Sequence, residues 1–523
     1  MLIPTSRTRL ALFVTILASC AIASAQTKSS PKAAEARAAK AFREASANTG
    51  TLRAFLVRMP KGADLHMHLG GAVYAETYLA EAATDSLCFN PDTASLLKPA
   101  ADKAACKPGT DTAALPKNQS EYDTLVDSFS MRNFIPTAQQ SGHDHFFATF
   151  DKFDEVSKSH RGEWLDEVAT RAAAQNEQYL EIMETLDDGH GAHLGVAQNL
   201  ILPDNATDAD FAAARDKLLA VGLREGVPAA SKMLDVAESQ QRDLEHCAAP
   251  SPQPACAVTI RYLFQVLRAI PRQAVFAQTL LAFELANADP RVVGINYVMP
   301  EDSYASMHDY AIEMRWLGWF HNMYPKVHIS LHAGELAAGL VPPAGLSNHV
   351  RLAVEQAHAE RIGHGVDLMW EDNADSLLKE MAAKHTMVEI NLTSNDVILN
   401  VKGKDHPFPI YRANRVPTAL STDDEGVSRI DLTHEYIRAA QEFSLTYLDL
   451  KQTARSSIAH AFLPGDDLWA QPDNFAKFAA PCASDLPTTD NPSAKCAALL
   501  KSSEHARQEW ALERRFRIFE ASF

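Results

Sequence analysis

The sequence predicts a (β/α)8 barrel of the TIM type on three observations. Eight short apolar runs recur along the chain, long helix-patterned stretches separate them, and residues of metal-ligand type end several runs. The runs cover residues 63–69, 179–184, 259–267, 292–298, 327–332, 361–365, 387–392 and 417–422. Parallel strands joined by helical crossovers close most economically into a barrel at that number.

The first 25 residues stand apart: Arg7 and Arg9 precede an uncharged run over 10–19, followed by Ala23, Ser24 and Ala25. This is the pattern of a signal peptide, with cleavage expected after Ala25. The apolar run is shorter than the roughly 20 residues that span a bilayer as a helix, so no transmembrane segment is expected. Leu17-Ala18-Ser19-Cys20 also reads as a lipoprotein box that would leave Cys20 acylated, and the two readings stay open. Either way the expected location is outside the cytoplasm, periplasmic or extracellular. Residues 26–58 read as a polar linker to about Ala39 and then a helical arm ending near Arg58. Residues 59–523 read as a single barrel with insertions near 85–130, 240–257 and 470–500. The gap between the first two runs exceeds one helix and predicts extra helices, while 503–523 predicts a charged amphipathic terminal helix.

Export changes the reading of the cysteines. Apart from Cys20 there are six, an even number suited to an oxidising compartment. Their clustering favours local pairs, Cys88 with Cys106, Cys247 with Cys256 and Cys482 with Cys496, each fastening an inserted loop. None has C-x-x-C metal spacing. The composition, 49 Lys+Arg against 66 Asp+Glu for a net charge of −17, excludes a surface that grips nucleic acid phosphates.

A barrel of this kind places chemistry at the C-terminal ends of its strands. His66 and His68 sit two apart on the first run, and the period of two aims both imidazoles at the axis. His332 closes the fifth run, His364 the sixth, and Asp423 follows the eighth. Each alone has a commoner structural reading, but ligand-type groups at four strand ends make a site. His66, His68, His332 and Asp423 supply nitrogen and carboxylate ligands of the kind zinc takes at catalytic sites. The fourth run, 292–298, holds no lysine that could bridge two ions, so one zinc per chain is expected.

Met59-Pro60-Lys61-Gly62, His66-Met67-His68, His332-Ala333-Gly334-Glu335, Arg361-Ile362-Gly363-His364-Gly365 and Ser421-Thr422-Asp423-Asp424 resemble the adenosine deaminase family. The resemblance runs from about Arg58 to Arg429. The Met-Pro-Lys-Gly opening, helical extension and export signal are most similar to its secreted, growth-factor-related branch and that branch's bacterial relatives. The resemblance implies that Glu335 protonates purine N1 and that His364 takes a proton from, and orients, the attacking water. It implies that Asp424 shares a hydrogen at N7, and that secreted relatives pair as homodimers through their N-terminal helices. Asn391-Leu392-Thr393-Ser394-Asn395 and His406-Pro407 are similar to family segments that shape the pocket.

Two substrate-binding positions depart from the pattern. Gly70 stands where many members carry an aspartate that contacts the ribose 5′-hydroxyl. Met299 stands where a glycine commonly contacts the purine. The implied function is zinc-dependent hydrolytic deamination of adenosine or 2′-deoxyadenosine to inosine or 2′-deoxyinosine and ammonia. The alternatives are deamination of adenine or of an N6-substituted or 5′-modified nucleoside, or a secreted nucleoside-binding signalling protein without activity. The H-x-E and P-C-x-x-C pair of nucleic-acid-editing deaminases is absent.

Overall fold

A computed structural model describes residues 30–99, 106–487, 489 and 491–523; the expected leader 1–25 and Cys20 lie outside the described residues. All eight apolar runs form strands: β1 (Gly62–His68), β2 (Glu177–Glu184), β3 (Thr259–Leu267), β4 (Val292–Val298), β5 (His328–Ala333), β6 (Arg361–His364), β7 (Met387–Ile390) and β8 (Thr418–Leu420). They pair in parallel with sequential neighbours. A parallel bridge between Met67 and Asp423 closes the ring. There the Asp423 N–H donates to His66 O (2.9 Å) and the His68 N–H donates to Asp423 O (3.1 Å). Apart from β3, half-buried at five of its nine residues, the strands are buried almost throughout because helices cover one face and the packed barrel interior the other, which is why they read as apolar runs and not as alternating ones. One continuous apolar core extends from Ala38 to Phe519.

The stretch between β1 and β2 holds helices Ala75–Thr84, Gln119–Ser128, Gly142–Phe153 and Arg161–Ala174 and a hairpin of Cys88–Asn90 with Ser95–Leu97, as its length predicts. The three expected disulfides are formed: Cys88–Cys106, Cys247–Cys256 and Cys482–Cys496. Cys482 and Cys496 are wholly buried against Leu468 and Trp510, apart from the main core. That bridge closes a loop with a sequence separation of 14. By chain entropy such a loop contributes about 3 kcal/mol. The paired Cys482→Ser/Cys496→Ser substitution is therefore expected to lower the urea-unfolding free energy by about 2–4 kcal/mol, and an unchanged denaturation midpoint would contradict this.

The N-terminal segment differs from the expectation of a linker as far as Ala39. A helix already runs from Pro31 to Ala45, capped by the Ser30 side chain on the Ala33 N–H, and it breaks at 46–48 before a second helix, Thr49–Leu56. Ala34, Ala38 and Phe42 repeat at helical spacing and bury one face, which packs against the terminal helix Glu504–Ala521. That terminal helix is amphipathic as expected, and several of its acids are buried and paired. Glu513 accepts from Arg455 (2.6 Å), and Glu520 accepts from Lys451.

Lys61 plugs the N-terminal end of β1. Its buried Nζ donates to the carbonyls of Leu56 (2.7 Å), Met59 (3.2 Å) and Gln175 (2.6 Å), tying the arm to the end of helix Arg161–Ala174. Gly62 beside it has φ +75°, and a Cβ there would meet Ala454 O at 2.4 Å. Only glycine fits that turn into the barrel.

Candidate active site and metal centre

His66 and His68 project from the end of β1 and His332 from the end of β5; Asp423 lies just beyond β8. His66 Nε2 lies 3.1 Å from His332 Nε2 and 3.3 Å from Asp423 Oδ1. His68 Nε2 lies 3.2 Å from each of the same two atoms. Ligands about 2.0–2.1 Å from a tetrahedral zinc are about 3.3 Å apart, so these four atoms have the spacing of a ligand shell.

The outer nitrogen of each imidazole has an oxygen acceptor. His66 Nδ1 donates to Glu389 Oε2 (2.6 Å), His68 Nδ1 to Gln265 Oε1 (2.8 Å) and His332 Nδ1 to Asn296 Oδ1 (2.8 Å). Asn296 Oδ1 also accepts the His332 backbone N–H (3.0 Å), which fixes it as an acceptor. With the protons on Nδ1, all three Nε2 lone pairs face the common point, the arrangement that metal-binding histidines adopt. Burial works against charge on His66, yet the Asp423 and Glu389 carboxylates raise its pKa to about 10. Burial would likewise raise Asp423, but bonds from His66 and His68 hold it well below the usual carboxylate range. Carboxylates thus flank His66 on both sides, Glu389 at Nδ1 and Asp423 at Nε2, a setting that suits a divalent cation.

Glu389 is itself anchored, since its Oε1 accepts from Arg361 Nε (2.7 Å) and Ser330 Oγ (2.9 Å). Arg361 reaches on to Glu181 Oε2 (2.6 Å). This fully buried chain holds His66 from below the metal centre.

Glu335 follows β5 and is buried, and burial, reinforced by the Asp423 and Glu301 carboxylates, pushes its pKa well above the ordinary carboxylate value. The turn that carries it is held by Glu301, whose carboxylate accepts the N–H of Gly334 (3.0 Å) and of Glu335 (2.8 Å) and His349 Nδ1–H (2.6 Å). Burial would raise Glu301, but Arg268 and His349 hold it down at about 2. Arg268 Nη1 also donates to His332 O (3.0 Å).

Asp424 is buried beside Asp423, burial raises its pKa to about 7, and its Oδ1 has no hydrogen-bond partner. A Cβ at residue 71 would fall 1.5 Å from that oxygen, so Gly71 makes room for Asp424.

His364 ends β6, with Nε2 3.6 Å from Glu335 Oε1. It also lies in a group with His66, His332 and Asp423 whose ligand atoms are within 4.8 Å of one another. A relay of hydrogen bonds separates it from the ligands. The Phe408 N–H donates to His406 Nδ1 (3.1 Å), so His406 Nε2–H donates to Asn395 Oδ1 (3.0 Å). The Asn395 amide then donates to His364 Nδ1 (2.8 Å). Asn391, its Oδ1 occupied by Ser421 Oγ–H, presents a second amide N–H at 3.4 Å. The backbone N–H at the start admits no reversal. Burial lowers both His364 and His406 to about 3, so both are neutral, and neutral His364 carries its proton on Nε2. A protonated Nε2 is a donor, not a ligand, which favours His68 for the fourth ligand position.

Met299, His364 and Asp423 all have positive φ, at +81°, +71° and +61°. Three left-handed residues thus lie at this end of the barrel, and a left-handed Met299 explains why glycine suits that position. Met299 and Gly70 line a cavity of about 900 Å³ together with His68, His332, Glu335, Asp423 and Asp424. Every residue singled out in the sequence for this site therefore falls at one end of the barrel. Glu301, Glu389, Asn296, Gln265 and Gly71 escaped that reading; of these, only a lone acid inside the buried run 387–392 gave a signal.

Residues 227–474 match the family model described as adenosine deaminase. The adenosine deaminase of Clostridium perfringens is 33% identical over 138 residues, 26% of this chain and 37% of that protein. The adenosine deaminase of Salmonella schwarzengrund is 36% identical over 141 residues, 27% of this chain and 39% of that protein. The chain thus spans little more than a third of the length of these curated relatives. Among solved structures, an amidohydrolase from Burkhoderia ambifaria with bound Zn is similar in fold (TM-score 0.50, 17% identity, 79% of this chain and 88% of that one). The adenine deaminase of Arthrobacter aurescens aligns at TM-score 0.48 and 16% identity over 77% of this chain and 94% of its own. The similarity to the adenosine deaminase family model thus covers residues 227–474, and both of these curated relatives are adenosine deaminases.

Proposed function

We propose that this protein is an exported, zinc-dependent hydrolase that removes the 6-amino group of a purine nucleoside, adenosine or 2′-deoxyadenosine, as ammonia. One observation carries the reading: a shell of three imidazole nitrogens and a carboxylate opens into the same cavity as two buried carboxyl groups whose raised pKa values keep them able to donate. His66, His68, His332 and Asp423 would hold the ion, and zinc held there would lower the pKa of a water to roughly 7 and so ready it for attack near neutral pH.

The remaining work falls to the chain's own groups. Glu335 delivers its proton to ring N1, which makes C6 electrophilic. Asp424 shares a hydrogen with N7 and so fixes the ring's orientation. His364 donates Nε2–H to the attacking oxygen; orientation is the part of its expected role that this tautomer supports, and proton removal is not. The ionised water adds at C6, its remaining hydrogen passes to N6 as the C6–N6 bond breaks, and ammonia leaves a 6-oxopurine that keeps the hydrogen on N1; the proton the water lost on ionising is balanced by reprotonation of Glu335.

Export is supported by the leader pattern and by three disulfides, which persist in oxidising compartments. Among the described residues no helix is long and apolar enough to cross a membrane. Gly70 and Met299 favour a second reading of the substrate as a different aminopurine, adenine or a 5′- or N6-modified nucleoside. Ammonia release from a panel of these compounds by zinc-loaded protein tests the reading. No release from any of them, with tight nucleoside binding retained, would replace the enzyme by a binding protein.

The relay makes a separate prediction. Asn395→Asp cannot donate to His364 Nδ1 and draws a proton onto it instead. Activity should fall about 10–100-fold, the usual cost of losing an outer partner of a site residue, with zinc content unchanged. The carboxylate also raises the His364 pKa, so a new limb should enter the pH profile. An unaltered pH profile would show that the relay does not set the tautomer.

A further inference from the structure

A second group of metal-ligand type lies outside the barrel centre, where helix Ala75–Thr84 meets the start of helix Arg161–Ala174. Glu81 and Asp85 lie four residues apart on the first, and His160 and Glu163 three apart at the start of the second, so each pair shares a helix face. His160 Nε2 lies 3.1 Å from Asp85 Oδ1, and the other Asp85 oxygen accepts the Ser157 N–H (2.9 Å). A carboxylate can only accept, so this bond places a proton on Nε2. In the neutral imidazole Nδ1 then carries a lone pair.

That lone pair faces two further carboxylates. Nδ1 contacts Glu163 Oε2 and lies 4.0 Å from Glu81 Oε1. The other Glu81 oxygen accepts the Trp164 indole N–H (2.8 Å). Glu81 is only 6% exposed, and its Oε1 has no hydrogen-bond partner. Among the described residues no Lys or Arg pairs with Glu81, Asp85 or Glu163. A proton on Nδ1 would satisfy that nitrogen and Glu163, but it would leave the buried Glu81 Oε1 without a partner. A cation touching Nδ1, Glu81 Oε1 and Glu163 Oε2 satisfies all three, and the ligand atoms of these residues lie within 4.8 Å of one another. Asp85 then occupies the place of the outer carboxylate that a metal-bound imidazole commonly engages through its other N–H.

We propose that Glu81, His160 and Glu163 form a second metal site, for a divalent cation that takes oxygen and imidazole ligands together, with Asp85 orienting the imidazole. Two carboxylates to one imidazole, completed by water at the partly exposed Glu163, suit manganese. Three ligands, one of them at the surface, hold an ion less tightly than the four groups of the barrel centre. This ion therefore exchanges on dialysis, whereas the barrel centre keeps its zinc. The site borders the catalytic cavity, because Trp164, which donates to Glu81, lines that cavity. The inference stands apart from the deaminase reading, since no residue of the reaction belongs to it.

The test titrates divalent manganese into the zinc-loaded protein and follows the paramagnetic resonance signal of the free ion, with the melting temperature measured alongside. The parent protein should take up one manganese per chain and melt at a higher temperature with it, because an ion that binds only the folded chain stabilises it. Glu81→Gln, whose amide oxygen can still accept from Trp164, should lose the manganese and keep the zinc. Glu163→Gln, at a partly exposed side chain, should do the same, and it decides the matter if Glu81→Gln does not fold. Asp85→Asn leaves all three ligands in place and should weaken manganese about 10–100-fold. No saturable manganese binding by the parent, or equal binding by the parent and Glu163→Gln, overturns the site.

Discussion

Glu335→Gln should lower kcat/KM for the aminopurine substrate by about 10²–10⁴-fold, the usual share of a positioned general acid, while the protein keeps its zinc. The side chain is isosteric and the turn stays intact, because Glu301 holds that turn through the backbone N–H groups of Gly334 and Glu335 and not through the Glu335 carboxyl. What disappears is the proton for N1.

The pH dependence follows from the same group. Burial first, then Asp423 and Glu301, raise its pKa in the folded protein. The protonated acid is therefore present at low and neutral pH, and this contribution to kcat/KM is lost as pH rises through the raised value. Stability follows the same sign. A carboxyl whose folded pKa lies above its unfolded value binds more protons when folded, so it costs stability as pH climbs from the unfolded to the folded pKa. Glutamine carries no such cost, and Glu335→Gln should unfold at no lower temperature than the parent protein at pH 8. A large activity loss with an undiminished melting temperature separates catalysis from folding; a variant retaining more than half the activity would remove Glu335 from the mechanism.

The second large effect concerns the metal. His66→Ala removes the imidazole that sits between His332 and Asp423, and on the proposed reading it should abolish both stoichiometric zinc binding and ammonia release. Glu389→Gln provides the graded companion. Glu389 touches no reacting atom, but it fixes the His66 tautomer and shares the Arg361 guanidinium with Glu181. Its loss should weaken zinc about 10–100-fold, measurable by competition with a chelating dye, with activity recovered at excess zinc. Unchanged zinc affinity in both variants would place the ion elsewhere.

The barrel was legible because its strands are buried on both faces and so stand out as apolar runs. The candidate site was legible because barrel chemistry gathers at strand ends, which gave His66, His68, His332, His364 and Asp423 a shared address. The helix Pro31–Ala45 was not, because its buried stripe is mostly alanine, whose small side chains read as linker until Phe42 shows the face they belong to. Glu301, Asn296 and Gln265 were hidden for a different reason. They act by supplying acceptors across the barrel to residues far away in sequence, from Asn296 to His332 and from Gln265 to His68. No local periodicity records such a contact. Asn391, Asn395 and His406 were visible as pocket-shaping segments, and only the Phe408 N–H, a donor whose direction is fixed, reveals that they orient the proton of His364.

The most direct test of the account measures metal content and ammonia release on one preparation, before chelation, after it, and after zinc is returned. The account predicts close to one zinc per chain. Ammonia and 6-oxopurine should form in equal amounts from at least one 6-aminopurine nucleoside, and both metal and turnover should be lost and restored together. Protein that holds one zinc per chain yet releases no ammonia from any 6-aminopurine would contradict it.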